Sequence, residues 1–138
     1  MKKVDLYLAN LAVVNIKLHN LHWNVTGINF KAIHEYLEGL YDSAFEKFDE
    51  VAEYQKMNGV YPKARLAEYL EISDIDELES KDYNGKETIE ITIETLEHMR
   101  DNALDIIEDT DCFVLSNMME DHVTEYNKHI WFLKTMLK

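Results

Sequence analysis

The sequence predicts an all-α fold, a four-helix bundle with a crossover connection that carries a short extra helix. Three observations support this. One proline and four glycines in 138 residues leave few places to interrupt a helix. Four long segments carry apolar residues at spacings of three and four, the period of a helix with one buried face. Between the second and third segments lies a connection of about two dozen residues, long enough to cross from one end of a bundle to the other. Residues 1–138 are expected to form a single domain around one core.

The first helix is expected over Val4 to Val25, with Leu8, Leu11, Val14, Leu18 and Leu21 as its apolar stripe and Thr26-Gly27 as its stop. The second runs from Phe30 to Met57 without a proline. It carries Ile33, Leu37, Leu40, Tyr41, Ala44, Phe48, Val51 and Ala52 inward, and Asn58-Gly59 then Pro62 close it. The crossover holds a short helix at Lys63 to Leu70 and an acidic patch, Ser73 to Glu79. Asn84-Gly85 precedes the third long helix, Lys86 to Asp109, with Ile89, Ile93, Leu96, Leu104 and Ile107 inward. The last, Cys112 to Leu137, is expected to bury Val114, Leu115, Met118, Val123, Ile130, Trp131 and Leu133.

Charge narrows the function. With 27 acidic against 14 basic residues the formal net charge is −13, a field that repels nucleic acid and anionic lipid and attracts cations. No lysine-rich tail offsets it, so no DNA binding is expected. A single cysteine, Cys112, cannot form an internal disulfide and reads as a small hydrophobe in a reducing compartment. The opening Lys-Lys and LYLANLAVV look like a signal peptide. Asp5, Asn10 and Asn15 interrupt that run and the helical stripe continues through Leu21, so a mature helix in a cytoplasmic protein is expected. No run reaches the roughly 18 apolar residues of a membrane span.

The histidines stand out. His22 and His34 flank Gly27 at similar distances, so an antiparallel helical hairpin brings the two imidazoles to similar height. Further along the second helix, Asp49 and Glu53 form an i,i+4 carboxylate pair. Helical phase returns from His34 to Asp49 within roughly 60°, on one side of the helix, but the rise separates them by about 22 Å. One subunit cannot gather all four on a metal. Two copies packed antiparallel about a two-fold axis could, giving two identical His/His/Asp/Glu sites. Imidazole and carboxylate without thiolate suit iron, zinc or manganese, and the hard oxygens favour iron. Taken singly, each histidine has a structural reading, and Asp49/Glu53 alone is a charged exposed face.

The run His22-Trp23, Gly27, Phe30, His34-Glu35, Tyr41, Asp49-Glu50-Val51-Ala52-Glu53 resembles the Dps family of mini-ferritins, with the family's spacing between the four ligand positions. Lys128-His129-Ile130-Trp131 matches another stretch of that family. The resemblance implies a ferritin-like fold and a hollow homo-oligomeric dodecamer in which His22 and His34 of one subunit meet Asp49 and Glu53 of its two-fold partner. It further implies a di-iron ferroxidase: two Fe(II) ions bind, hydrogen peroxide or dioxygen accepts their electrons, and ferric mineral is stored within. Glu38 falls where the family has an acidic residue reaching the second iron through water. Trp23 adjoins the site in the family and reads equally as an interface anchor. Glu35 is a candidate for mineral nucleation.

There are departures. Tyr54 stands where many members have arginine, so a supporting ion pair is expected to be absent. Asp111 matches one aspartate of the family's iron pore, whereas Asn117 replaces another in a shortened DCFVLSN region.

Other readings are weaker. A ferritin-type site inside one bundle needs Glu-x-x-His, and none of the six histidines has glutamate three residues before it. His19 and His22 could hold zinc with a nearby acid, although His19 is expected at or near the surface. His98, His122 and His129 show no evident convergent partner and read as structural or solvent-facing. From a different class, the chain could be a non-catalytic acidic helical cage or cation-binding scaffold.

Overall fold

The computed structural model describes Met1–Lys138 as α1 (Lys2–Asn24), β1 (Val25–Thr26), α2 (Phe30–Met57), α3 (Leu66–Ile72), β2 (Tyr83–Asn84), α4 (Gly85–Asp109) and α5 (Phe113–Met136). The four long helices form the expected bundle, with α1 packed along α2 and α4 along α5. No helix is long and apolar enough to cross a membrane.

The crossover runs from Asn58 to Asn84 and ends in a feature absent from the all-α expectation. Val25 and Thr26 pair in parallel with Tyr83 and Asn84. This two-residue ladder starts α4 at the end of the bundle where α1 stops. Asn84 then caps α4 by accepting a hydrogen bond from Glu87 N at 2.8 Å. The short helix lies slightly later than the Lys63-to-Leu70 expectation, at Leu66–Ile72.

Helix α1 occupies the centre. It packs on α2, α3 and α4, and Val4, Tyr7, Leu8, Ala9, Asn10, Leu11, Val13, Val14 and Leu18 are all buried. A helix buried nearly all round is apolar nearly all round, which explains its resemblance to a signal sequence. Asn10, with no exposed surface, pins the crossover. Its amide nitrogen donates to Asp74 Oδ1 (2.8 Å) and Asn102 Oδ1 (2.7 Å), and its oxygen accepts from Ser73 Oγ (2.6 Å) and Asp74 N (3.1 Å). His98 Nε2 reaches the same Asp74 oxygen at 2.8 Å. Burial works to raise Asp74, but hydrogen bonds from His98 and Asn10 outweigh it and hold the carboxyl low.

Three expected core residues lie outside. Leu104, Val114 and Trp131 are exposed, and the buried positions of α5 are Leu115, Met119, His122, Tyr126, Ile130 and Leu133. That stripe has the expected helical spacing but runs through a histidine and a tyrosine. On α4, Thr88, Thr92 and Thr95 are buried as well. Their hydroxyls donate to the carbonyls one turn back, at 2.7 to 2.8 Å, so none of the three is stranded.

Polar side chains bridge α2 to α5. Lys47 is buried and pairs with Glu125, which also accepts from Ser43 Oγ at 2.5 Å. Tyr36 Oη lies 2.6 Å from His129 Nδ1, and His122 Nε2 lies 2.9 Å from Glu50 Oε1. His98, His122 and His129 thus each have a partner that the sequence did not reveal.

Two outcomes are expected. Asn10→Ala strands up to four partners and should lower stability by about 1–3 kcal/mol, read from the urea midpoint; a change under about 0.5 kcal/mol would place this network among neutral surface contacts. Burial lowers both His122 and His129 from the ordinary 6.5, so the unfolded chain binds more protons below that value. Stability should be full above pH 6.5 and fall as pH drops toward the lowered folded values, which melting temperature against pH will show.

Candidate functional site

The hairpin between α1 and α2 turns at Gly27, whose φ of 110° is open to glycine and costly for other residues. Phe30 N donates to Gly27 O at 3.1 Å and starts α2. The turn sets α1 against α2 in one register, and His22 and His34 meet.

Their contact is reciprocal. His22 Nδ1 lies 2.6 Å from the carbonyl oxygen of His34, and His34 Nδ1 lies 2.7 Å from the carbonyl oxygen of His22. A carbonyl only accepts, so each Nδ1 carries the proton. In the neutral rings each Nε2 then holds a free lone pair, the state a metal ligand requires. The imidazoles stack with centroids 3.6 Å apart and planes 12° apart. Phe30 covers His34 at 5.0 Å, and the edge of Tyr41 meets His22 at 5.1 Å.

Around this pair lie further polar and aromatic groups. His19 is half-buried, stacked on Tyr41 at 3.7 Å with its Nδ1 2.7 Å from Asn15 O. Glu38, exposed one turn beyond His34, is hydrogen-bonded to the Tyr41 phenol. Burial, the charges of Glu38 and Asp42 and that hydrogen bond together raise the phenol. Trp23 is 65% exposed, and Glu35 also faces outward.

Asp49 and Glu53 sit together, exposed, near the other end of α2. A hydrogen bond from the protonated Glu53 carboxyl to Asp49, then the Asp49 charge, then desolvation raise the Glu53 carboxyl above the ordinary range. Two carboxylates this close repel until a proton or a cation joins them.

The structure brings His22 to His34 and Asp49 to Glu53, and keeps the two pairs apart. Helix α2 is unbroken between them, so the helical rise holds. Within one chain no group of three or more His, Cys, Asp or Glu side chains is placed to hold a metal, the zinc reading at His19 and His22 included.

A family model for the ferritin-like domain matches residues 2–138. The DNA protection during starvation protein of Listeria innocua is 35% identical over 133 residues, 94% of this chain and 85% of the relative. DNA protection during starvation protein 2 of Bacillus anthracis is 33% identical, over 94% of this chain and 90% of its own. The chain belongs to the Dps family. Among solved structures, antigen TpF1 of Treponema pallidum superposes with a TM-score of 0.95 at 31% identity, covering 99% of this chain and 90% of that one.

Membership places the chain among ferritin-like proteins of iron storage and oxidative protection, whose relatives form homo-oligomers. Against the Dps pattern, Tyr54 is buried and donates its hydroxyl to Cys112 Sγ at 3.5 Å. That bond raises the phenol to about 12 and, with backbone N–H groups at the start of α5, lowers the thiol. The position thus ties α2 to α5 through a neutral contact. Asp111 and Asn117 are both exposed near the start of α5.

The sequence missed one cluster, Tyr7, Tyr126, His122 and Glu50, because its members lie on three helices. The available signal was the helical spacing of His122 and Tyr126 with Met119 and Ile130.

Asp49→Ala should return Glu53 toward the ordinary carboxylate range, a downward shift that a carboxyl-carbon NMR titration will detect. An unchanged Glu53 would refute the carboxylate pairing.

Proposed function

We propose that this chain is the subunit of a hollow dodecamer that oxidises Fe(II) at sites shared across two-fold axes and stores the ferric product. His22 and His34 from one subunit and Asp49 and Glu53 from its partner bind the ferrous substrate, with Glu38 reaching the second ion through water. The observation that carries this reading is the split geometry. Two imidazoles are held with Nε2 free at one end of α2, two mutually repelling carboxylates wait at the other, and neither pair suffices alone.

Further support comes from the surface. Between α1 and α3 an apolar groove of about 180 Å³ is lined by Ala12, Val13, Ile16, Leu66, Tyr69 and Leu70, with Ile16, Leu66 and Leu70 exposed. Apolar surface of this kind on a chain of net charge −13 fits a second copy. Two solved variants of Listeria innocua Dps carry glycine in place of one or both of two histidines spaced as His22 and His34 are.

The chemistry follows from holding two ferrous ions together. Two Fe(II) each give one electron to hydrogen peroxide, the O–O bond breaks, and two protons complete two water molecules. Paired delivery leaves no hydroxyl radical. The carbonyl-bound Nδ1 protons fix both rings, so binding needs no tautomer change, and the negative surface concentrates cations. Dioxygen is the second candidate oxidant. With 27 acidic against 14 basic residues, the chain is proposed to act on iron and peroxide without binding DNA, in the cytoplasm.

Light scattering should give a particle near twelve subunits, and stopped-flow mixing should show rapid oxidation of about two Fe(II) per site by peroxide. His34→Ala should weaken ferrous binding by at least about 10–100-fold, the cost of losing only a hydrogen-bonding partner of a ligand, with the particle intact. A monomer that oxidises iron at full speed, or an assembly that leaves it at the uncatalysed rate, would overturn the proposal.

A further inference from the structure

Beneath the turn of α2 that carries Asp49 and Glu50, two phenols and an imidazole form a buried chain. Tyr7 of α1 has no exposed surface. Its hydroxyl lies 2.9 Å from His122 Nδ1 and 2.7 Å from the hydroxyl of Tyr126, and its ring stacks on the imidazole at 5.8 Å. His122 Nε2 lies 2.9 Å from Glu50 Oε1, at a groove between α2 and α5.

The protons can be assigned in one direction. The Glu50 carboxylate accepts, so His122 Nε2 carries hydrogen. Burial lowers His122 despite Glu50, keeping the ring neutral with Nδ1 bare. Tyr7 therefore donates to Nδ1, and Tyr126 donates to Tyr7. Burial raises both phenols, so neither ionises ahead of oxidation. A phenol in this setting can lose an electron only if its proton leaves with it, and a vacant base stands at hydrogen-bond distance to take it.

We propose that Tyr7 is a redox-active tyrosine that surrenders one electron to an oxidant of the hydroxyl-radical class while His122 Nδ1 takes its phenolic proton. The Tyr7 O–H bond breaks, an N–H bond forms, and the electron reduces hydroxyl radical to hydroxide. Tyr126 stabilises the neutral phenoxyl oxygen by hydrogen bonding. A ferrous ion then returns one electron, the proton moves back from Nδ1, and Tyr7 is restored. In sum, Fe(II) and hydroxyl radical become Fe(III) and hydroxide.

The source of the radical rests on the preceding reading: peroxide that meets one ferrous ion instead of two yields it. The register that sets His34 beside His22 brings Tyr7 to the turn of α2 that carries Asp49 and Glu50. The electron path is then of the order of one helix diameter, about 10 Å. Tyr7 thus drains the oxidant that an incompletely loaded site produces.

The assembled protein is tested with two oxidants: Fe(II) with peroxide, and a flash-generated ruthenium(III) complex that needs no iron site. Rapid-freeze electron paramagnetic resonance should show a neutral phenoxyl radical with either. A ring-fluorinated tyrosine placed at position 7, which keeps the hydroxyl and the packing, should add fluorine splitting to that signal. Tyr7→Phe should lose most of the signal while Fe(II) consumption stays unchanged, and His122→Asn should slow radical formation and remove its solvent deuterium effect. A radical without fluorine splitting, arising elsewhere among the 8 tyrosines, would overturn the proposal. So would rapid iron oxidation with no radical under either oxidant. Iron oxidation at the background rate with a flash-generated Tyr7 radical would sink the ferroxidase reading and leave the tyrosine standing.

Discussion

The register of α1 against α2 is the constraint on which everything else rests. Gly27 closes the turn, and the two imidazole-to-carbonyl hydrogen bonds across the hairpin lock it. A slip of one residue would turn either imidazole about 100° away from its partner carbonyl. Both rings would lose the bond that fixes their tautomer. Fifteen residues back along α1 the same register delivers Tyr7 to the helix segment around Glu50. A single packing decision therefore sets the imidazole half of the proposed iron site at one end and the phenol chain at the other.

Much of this was legible in the sequence. Helix α2 falls at Phe30–Met57 as its turn signals require, and the Gly27 hairpin follows from the same residues. The 22-to-34 and 49-to-53 spacings set an imidazole pair and a carboxylate pair on one helix hairpin, as the structure has them. What the sequence could not give was polar burial. Reading α5 for apolar letters selected Val114 and Trp131, whereas its buried stripe includes His122 and Tyr126, whose partners Tyr7 and Glu50 come from helices far away in sequence. Asn10 looked like an interruption in an apolar run. It is a fully buried anchor because four partners from the crossover and α4 converge on it. Such residues become readable only once the helices are packed.

Position 54 shows how a departure from the family pattern is absorbed. A buried arginine needs a carboxylate to offset its desolvation, and a lone charge there would be costly. Tyrosine fills the space with an aromatic ring and spends its one donor on Cys112, at the first turn of α5. The tyrosine thus ties α2 to α5 without a buried charge. An arginine at this position would make the formal charge one unit less negative than the −13 the chain carries, so the tyrosine leaves the field slightly more attractive to metal.

Splitting the ligands between two copies, as proposed, is compatible with helices α1 and α2 that run unbroken through the site. A bundle that gathers four ligands internally must direct polar groups into its own core and satisfy every one of them. Here the carboxylates of Asp49 and Glu53 remain exposed on the single chain, where water satisfies them, and the core around Leu8, Leu11, Val51 and Met99 stays apolar. The two imidazoles need only main-chain carbonyls to be held. In the proposed assembly a two-fold partner supplies what one subunit lacks, so chemistry at the proposed site waits on the pairing of two copies.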